Sequence, residues 1–448
     1  MGNGSFCVSV KDYVNDKNNT LQNPHLENGI FSSNNKNSFF YYNTNPNTPN
    51  TPNYSNVVTI NSRKWYKAGP KNNESFLNSK YDPNKLKSIN NNNFNENGLN
   101  YTNLAYGDKY IGEQYNNLPY GKGKYFSSNG DIREGNFING KLNGKGKMNL
   151  TNGIFLEGNF INDKLNGEGK SININGEIYE GQFTDGIRNG KGKLITSEKD
   201  IIEGIFVNGI IEGKAKIYLK KGDYYEGEFK NGLPNGYGLK KFKDGSIYKG
   251  NFVDGQEHGQ GAKTWPDGQT YEGEFVQGVK QGKGKHIFKD GEIYEGDFVN
   301  GVYEGKGIYS WPDGSKYEGD FKNNKIEGKG VWIWPNGDKY TGQFFDGKYN
   351  GFGILEYEDG KKYQGEFKDD LFDGIGKKTF PDGTRYEGSF SKGEYHGDGI
   401  WYYYNGDKLE GKWVNGIRNG FYIKTFKNGI KYGIEYRNEV KIKEQKME

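Results

Sequence analysis

The residues of this chain that could do chemistry are few, and most recur at a fixed interval. Met1-Gly-Asn-Gly-Ser-Phe-Cys7 begins as an N-myristoylation signal does, M-G-x-x-x-[ST], but Phe6 stands where Ser or Thr belongs and Ser5 lies one place early. One acyl chain holds a membrane only marginally, and Cys7 is placed to carry a second. Gly2 and Cys7 are therefore candidate lipidation sites, against the plainer alternative of a chance second residue and an idle thiol. Of the four histidines, His258, His286 and His396 lie in the Gly-rich part of the chain, scattered among copies of one pattern, so no catalytic or metal cluster is indicated. His258 and His396 each precede a Gly and read as ordinary loop residues. The numerous Glu could act as paired acids, but Glu134, Glu157, Glu180 and Glu203 fall opposite Lys147, Lys170, Lys193 and Lys216 when the pattern is folded into hairpins. Such cross-strand charge pairs on a solvated face contribute modestly. The many G-x-G strings lack both the G-x-x-x-x-G-K-[ST] form and a strand-to-helix context, so a phosphate loop is not indicated.

Composition divides the chain in two. Residues 1–100 hold 27 Asn and only 5 of the 70 Gly. They also hold the whole net charge of +4, leaving the remainder balanced at 51 basic and 51 acidic residues. A neutral body has no global field to draw in nucleic acid or an anionic membrane. No stretch approaches the ~18 apolar residues of a membrane span, and the single Cys excludes a disulfide framework and fits a reducing compartment. The leader, 1–100, has too little apolar surface to offset the entropy of ordering and reads as disordered, as in Asn45-Pro-Asn-Thr-Pro-Asn-Thr-Pro-Asn53.

From Tyr110 a single unit returns every 23 residues with no insertion. Its third position is Gly in all fourteen full copies, Gly112 to Gly411, and so is its twelfth, Gly121 to Gly420. Residues Tyr225-Glu-Gly-Glu-Phe229 alternate as a half-buried strand does. Composition predicts a turn over 230–235, a second strand over 236–242 and a junction turn at Lys243-Asp-Gly-Ser, elsewhere W-P-D-G. Parity then sets Phe229 against Gly236, Gly227 against Gly238 and Tyr225 against Lys240, with Phe242 opposing Tyr248 of the next copy. The Gly pairs make room for rings lying flat across bare backbone. An isolated hairpin is marginal in water, so the copies must pair side by side. The fold class expected is all-β: an elongated single-layer antiparallel sheet of about fourteen hairpins, on the order of 130 Å at ~4.8 Å per strand. Domain bounds follow as leader 1–100, repeat array 101–439 and tail 440–448.

The repeated string Y-E-G-E-F-x-N-G-x-x-x-G-x-G-x-x-x-W-P-D-G resembles the MORN (membrane occupation and recognition nexus) repeat, most clearly at Tyr271–Gly291 and Tyr294–Lys316. The likeness covers Gly107 to Tyr436, and its repeat-defining residues include Tyr225, Gly227, Phe229, Gly236 and Gly238, then Tyr271, Gly273, Phe275, Tyr294, Gly296, Phe298, Tyr317, Gly319 and Phe321. Departures are few: Ile202 and Leu409 replace the leading Tyr, Gln114 the Phe, Ala215 and Tyr422 a Gly, and Lys199 a turn Gly. The copy starting at Ile202 is thus an expected weak joint. Resemblance implies roles at membranes, cell-division structures and ciliary or flagellar assemblies. Arrays of this family also occur fused to phosphatidylinositol phosphate kinases and to a SET-domain methyltransferase; the repeats fill the chain here, so neither catalytic domain is expected.

At the fifteenth place of the unit, Lys124, Lys147, Lys170, Lys193 and Lys216 give way to Ile308, Val331, Ile354, Ile400 and Ile423, with Phe352, Ile375 and Phe421 two places before that position in their strands. Lys285 and Lys377 interrupt the trend. These apolar residues are a candidate surface for protein contact, including self-association through the C-terminal repeats; the alternative is that β-branched residues simply favour strands. The sequence thus predicts a non-enzymatic scaffold without cofactor or nucleic-acid partner. It would be cytoplasmic, peripheral on a membrane or cytoskeletal structure, and would link proteins to it. A phosphoinositide- or phosphatidic-acid-binding module is the competing class, resting on Lys122-Gly-Lys124, Lys145-Gly-Lys147 and Lys191-Gly-Lys193. A regulatory subunit of a lipid-signalling enzyme is the third.

Overall fold

A two-residue loop of Asn-Gly or Asp-Gly sets the local structure. Such loops adopt φ > 0 at both positions, and the resulting twist matches that of the flanking strands. In the computed structural model, Asn231 and Gly232 have φ of 52° and 79°, and Lys230 pairs with Leu233 across them. Asp254-Gly255, Asn300-Gly301 and Asp346-Gly347 repeat this geometry. The structure describes residues 92–94 and 100–448; Gly2, Cys7 and the expected disorder of the leader lie outside the described residues.

The chain forms two units, with described residues 92–94 and 100–279 in one and 280–448 in the other. In the first, seven- and nine-residue strands alternate from Lys109–Tyr115 and Leu118–Phe126 to Gln256–Thr264 and Thr270–Val276. In the second they alternate from Ile293–Val299 and Val302–Ser310 to Glu394–Tyr402 and Lys408–Val414, after which the two segments Ile417–Arg418 and Gly420–Thr425 replace one long strand and two seven-residue strands, Lys431–Arg437 and Val440–Lys446, close the series. Within each unit successive strands pair antiparallel, as in Tyr224–Lys230 with Leu233–Lys241 and then Ile247–Val253. The one helical element among the described residues is the 3-10 turn Ala105–Gly107. Pairing of Lys431–Arg437 with Val440–Lys446 continues past 439, where the array was expected to end. The copy at Ile202 keeps both full strands, Ile201–Val207 and Ile210–Tyr218, with Gly204 opposite Ala215.

Register agrees with parity at the Gly pair and departs from it towards the hairpin tip. Tyr225 opposes Lys240 and Gly227 opposes Gly238, but Phe229 opposes Pro234, because the loop is only Asn231-Gly232 and not the six residues 230–235. A bulge between Gly227 and Phe229 absorbs the difference. Gly236 sits in it with φ 101°, a conformation that costs glycine least. Gly236 faces Phe252 of the next copy instead. Phe242 likewise does not oppose Tyr248; Lys240 does, while the Phe242 amide donates to the Ser246 carbonyl at 2.8 Å and starts the junction turn.

Two sets of side-chain braces tie many of the copies to the one before. The turn aspartates accept the amide 20 residues on, Asp223 from Lys243 at 2.7 Å and Asp338 from Glu358 at 2.8 Å. At the hairpin tips Glu212 accepts the Asn231 amide at 2.8 Å, and Glu304 the Asn323 amide at 3.0 Å.

Candidate interaction surfaces

One face of each unit is an aromatic core built over bare backbone. Tyr225 is 1% exposed, and a Cβ on Gly227 or Gly238 would lie 2.5 Å from its Oη. The ring therefore lies flat over the Gly pair, and its hydroxyl donates to the Glu228 carbonyl at 3.1 Å. Tyr271, Tyr294 and Tyr317 make the same bond to Glu274, Asp297 and Asp320 at 2.9–3.1 Å. Edges of two Phe close each Tyr: Phe229 and Phe252 meet Tyr225 at 5.1 and 5.0 Å, nearly perpendicular. Phe298 and Phe321 do the same for Tyr294 at 5.2 and 5.0 Å. Edge-to-face geometry suits the ring quadrupoles. Burial pushes the Tyr271 hydroxyl up to about 12, so these rings stay neutral hydrogen-bond donors at ordinary pH.

The tenth position of the unit, counted into a loop from the sequence, adds a second tier in residues 280–448. Tyr303 stacks on Tyr294 at 3.7 Å, Tyr349 on Tyr340 at 3.8 Å and Phe372 on Tyr363 at 3.7 Å. The recurrence of aromatics at that position was the available signal. In residues 100–279 the same face holds ions. Lys263 Nζ lies 3.1 Å from Glu257 Oε2, with side chains 17% and 7% exposed. The ammonium groups of Lys240 and Lys263 stand 4.4 and 4.7 Å from the centre of the Phe242 ring. Burial pulls the Lys240 ammonium below its usual range, against the opposing charges of Glu257 and Asp223.

His286 is the buried histidine, with Nδ1 3.0 Å from the Tyr303 hydroxyl and its ring 4.2 Å from Phe288. Burial, assisted by Lys280, lowers it to about 3 and keeps it neutral. His258 and His396 are not loop residues as expected: they lie in the strands Gln256–Thr264 and Glu394–Tyr402, because the short tip starts those strands early. Among the described residues no group of three His, Cys, Asp or Glu could hold a metal ion.

The opposite face carries the charges. Each Lys sits between two Glu, Lys147 opposing Glu134 of its own hairpin and Glu157 of the next. The close ion pair forms with the next copy: Lys124–Glu134 at 3.2 Å, Lys147–Glu157 at 2.9 Å, Lys170–Glu180 at 2.7 Å and Lys193–Glu203 at 2.9 Å. Hydrogen bonding to Glu157 raises the Lys147 pKa. The apolar candidates lie on this face in two rows. Ile308 and Val331 both oppose Glu318, and Val331 and Ile354 both oppose Thr341. Ile400 and Ile423 both oppose Glu410. Phe352, Ile375 and Phe421 are 52%, 63% and 61% exposed, with Glu366 opposite Phe352 and Ser389 opposite Ile375. The structure therefore interleaves the apolar side chains with polar ones from alternate strands and does not merge them into one patch.

A tandem of tip-braced hairpins with rings lying over paired glycines defines a β-hairpin repeat protein. Fourteen segments, from 110–132 to 410–431, match the MORN repeat, and together they cover more than half of the chain. The chain belongs to the MORN-repeat family. No curated protein is similar enough in sequence to match it. Among solved structures, the SAS-4 TCP domain of Drosophila melanogaster in complex with a proline-rich motif of Ana2 is 16% identical, covering 41% of this chain and 88% of that one at a TM-score of 0.22. The TCP10 domain of Danio rerio CPAP is 12% identical, covering 57% of this chain and 99% of that one at a TM-score of 0.19.

Proposed function

We propose that this protein is a non-enzymatic scaffold whose repeats hold partner proteins at a membrane or cytoskeletal structure, with the protein on the cytoplasmic side. The reading rests on one contrast on the outer face. Lys124, Lys147, Lys170 and Lys193 each hold a Glu within 3.2 Å, whereas Phe352, Ile375 and Phe421 present more than half their surface to solvent. Lysines already committed to carboxylates offer an anionic headgroup little net field. Exposed rings and aliphatics are what a protein partner or a second copy would cover. The test is sedimentation of the full-length protein with phosphatidylserine and phosphoinositide vesicles from 50 to about 300 mM salt, a range over which electrostatic binding collapses. No salt-sensitive pelleting is expected, and strong pelleting lost at high salt would establish the lipid-binding class instead. In parallel, Phe352→Ser, Ile375→Ser and Phe421→Ser together should lower the mass of any self-assembled species or strip bound proteins. Anchorage through Gly2 and Cys7 predicts that Gly2→Ala shifts the protein from the membrane to the soluble fraction.

A further inference from the structure

Three of the bracing aspartates lean on a neutral side chain two residues earlier, and in each case it is the Asn of an Asn-Gly pair. Asn129, Asn336 and Asn405 precede Gly130, Gly337 and Gly406 and stand two residues before Asp131, Asp338 and Asp407. Each carboxamide makes the same two bonds. Its Oδ1 accepts the amide of that Asp at 3.0–3.1 Å, and its Nδ2 donates to the Asp Oδ2 at 3.0–3.1 Å. An amide N–H needs an oxygen and a carboxylate needs an N–H, so the carboxamide can point only one way. The second carboxylate oxygen carries the brace: Asp131 Oδ1 accepts the Thr151 amide at 2.8 Å, Asp338 Oδ1 the Glu358 amide at 2.8 Å and Asp407 Oδ1 the Lys427 amide at 3.0 Å.

Charge in these turns follows a rule. Where the earlier residue is Asp, the later one usually supplies a donor, as Ser246 does to Asp244, Gln269 to Asp267 and Thr384 to Asp382 at 2.5–2.9 Å. Asp290 precedes an acid, and there the Glu292 carboxylate takes the Tyr309 hydroxyl while the next copy presents Pro312, which has no amide to brace. Glu198 precedes Asp200, whose amide is taken by Thr196 Oγ1 at 3.1 Å.

Asn-Gly is the sequence at which asparagine most readily loses its amide, since Gly leaves the following nitrogen unhindered. That nitrogen gives up its proton and attacks Asn Cγ, the Cγ–Nδ2 bond breaks and ammonia leaves. Water then opens the cyclic imide to aspartate or its β-linked isomer. All three Asn and their Gly are exposed. The Gly nitrogens donate to the carbonyl three residues back at 2.9–3.0 Å, so the reaction proceeds from the opened turn. We propose that Asn129, Asn336 and Asn405 are deamidation sites, and that the new carboxylate, replacing a donor 3.0–3.1 Å from the bracing Asp, releases the turn of the next copy. Two carboxylates at that separation repel, and the lost N–H leaves both without a shared proton. At Asp407 the Lys424 ammonium, 3.7 Å from Oδ2, offsets part of the added charge, so Asn129 and Asn336 carry the larger effect. Asn428 is the internal comparison: its Oδ1 accepts the Ile430 amide at 3.1 Å in the same kind of turn, but no acid stands two residues on. The array thus contains places where its copies loosen with age, without an enzyme.

The test ages the full-length protein for weeks at mildly alkaline pH and follows two readouts. Peptide mass mapping should show the amide-to-acid gain at Asn129, Asn336 and Asn405, and hydrogen exchange should quicken in step at the Thr151 and Glu358 amides. Asn336→Gln, which closes the imide ring poorly, should keep Glu358 protected through the same ageing. Asn336→Asp supplies the product directly and should exchange several-fold faster at Glu358, whereas Asn428→Asp should leave Ile430 unchanged. In Asn336→Asp/Asp338→Asn an amide again faces an acid, as Gln269 faces Asp267, and wild-type protection should return. No mass gain at the three sites would overturn their assignment. Wild-type exchange in Asn336→Asp would overturn the release of the brace, and a swapped pair that stays unprotected would overturn its charge basis.

Discussion

The sharpest consequence of rings lying over bare backbone concerns Gly238, whose added Cβ would meet Tyr225 Oη at 2.5 Å, Cζ at 2.7 Å and Cε2 at 2.8 Å. Gly238 has no left-handed backbone demand, so Gly238→Ala is decided by space alone. Ala should gain roughly 0.5–1 kcal/mol by restricting the unfolded chain. Against this, overpacking costs about 1–3 kcal/mol. Lifting the ring also breaks the Tyr225–Glu228 hydrogen bond, about 1 kcal/mol, and loosens two edge contacts worth about 0.5–1.5 kcal/mol each. The losses win, and a net destabilisation of about 2–6 kcal/mol is expected. Because long repeat arrays do not unfold in one step, the readout is native-state hydrogen exchange at the amides of 225–229 and 237–241. The decisive comparison is Gly238→Ala in a Tyr225→Leu background. With the ring gone, the same substitution should be neutral or stabilise by up to about 1 kcal/mol. An equal penalty in both backgrounds would refute the ring-over-glycine account.

His286 makes a pH prediction in the second unit. Its folded pKa of about 3 lies below the model-peptide value near 6.5, so the unfolded state takes up the proton first, and stability present above pH 6.5 is lost as pH falls from about 6.5 towards 3. Exchange at Val279–Ile287 should rise over that window, and His286→Phe should flatten the dependence; an unchanged slope would locate the acid sensitivity elsewhere. In the first unit, Glu257→Gln removes the carboxylate paired with Lys263 and should destabilise the hairpin at Gln256–Thr264 by about 3–5 kcal/mol. Glu257→Leu with Lys263→Leu should recover most of that loss, and a double variant as unstable as the single one would contradict the ion-pair argument.

The strand content, the 23-residue pitch and the facing Gly227–Gly238 pair were legible because period-two alternation and fixed glycines leave one consistent parity. The hairpin tip was misread because Pro234 resembles a turn residue; the Asn231-Gly232 dipeptide is the stronger loop signal, and Pro234 takes a strand position opposite Phe229. That error hid the inward tenth position and with it the stacked tier of Tyr303, Tyr349 and Phe372. The buried ions were illegible for another reason. Lys240 was placed opposite Tyr225 by parity, but a single register gives no depth, and depth is what buries the charges of Lys240 and Glu257 and half-buries that of Lys263. The apolar row was found by composition, whereas its dilution by Glu318, Thr341 and Glu410 needed the neighbouring strands.

The braces that reach 19 and 20 residues ahead have a genetic corollary. The turn brace recurs at one offset wherever that place holds Asp, as at Asp108, Asp131, Asp200, Asp223, Asp338 and Asp407, and the strand ladder repeats one register from copy to copy. An in-frame deletion or duplication of 23 codons between equivalent positions would therefore rejoin a donor to an equivalent acceptor and leave the remaining pairings whole. Such a gene can lengthen or shorten its product in increments of one hairpin, about 9.6 Å at a time, without passing through a misfolded intermediate sequence.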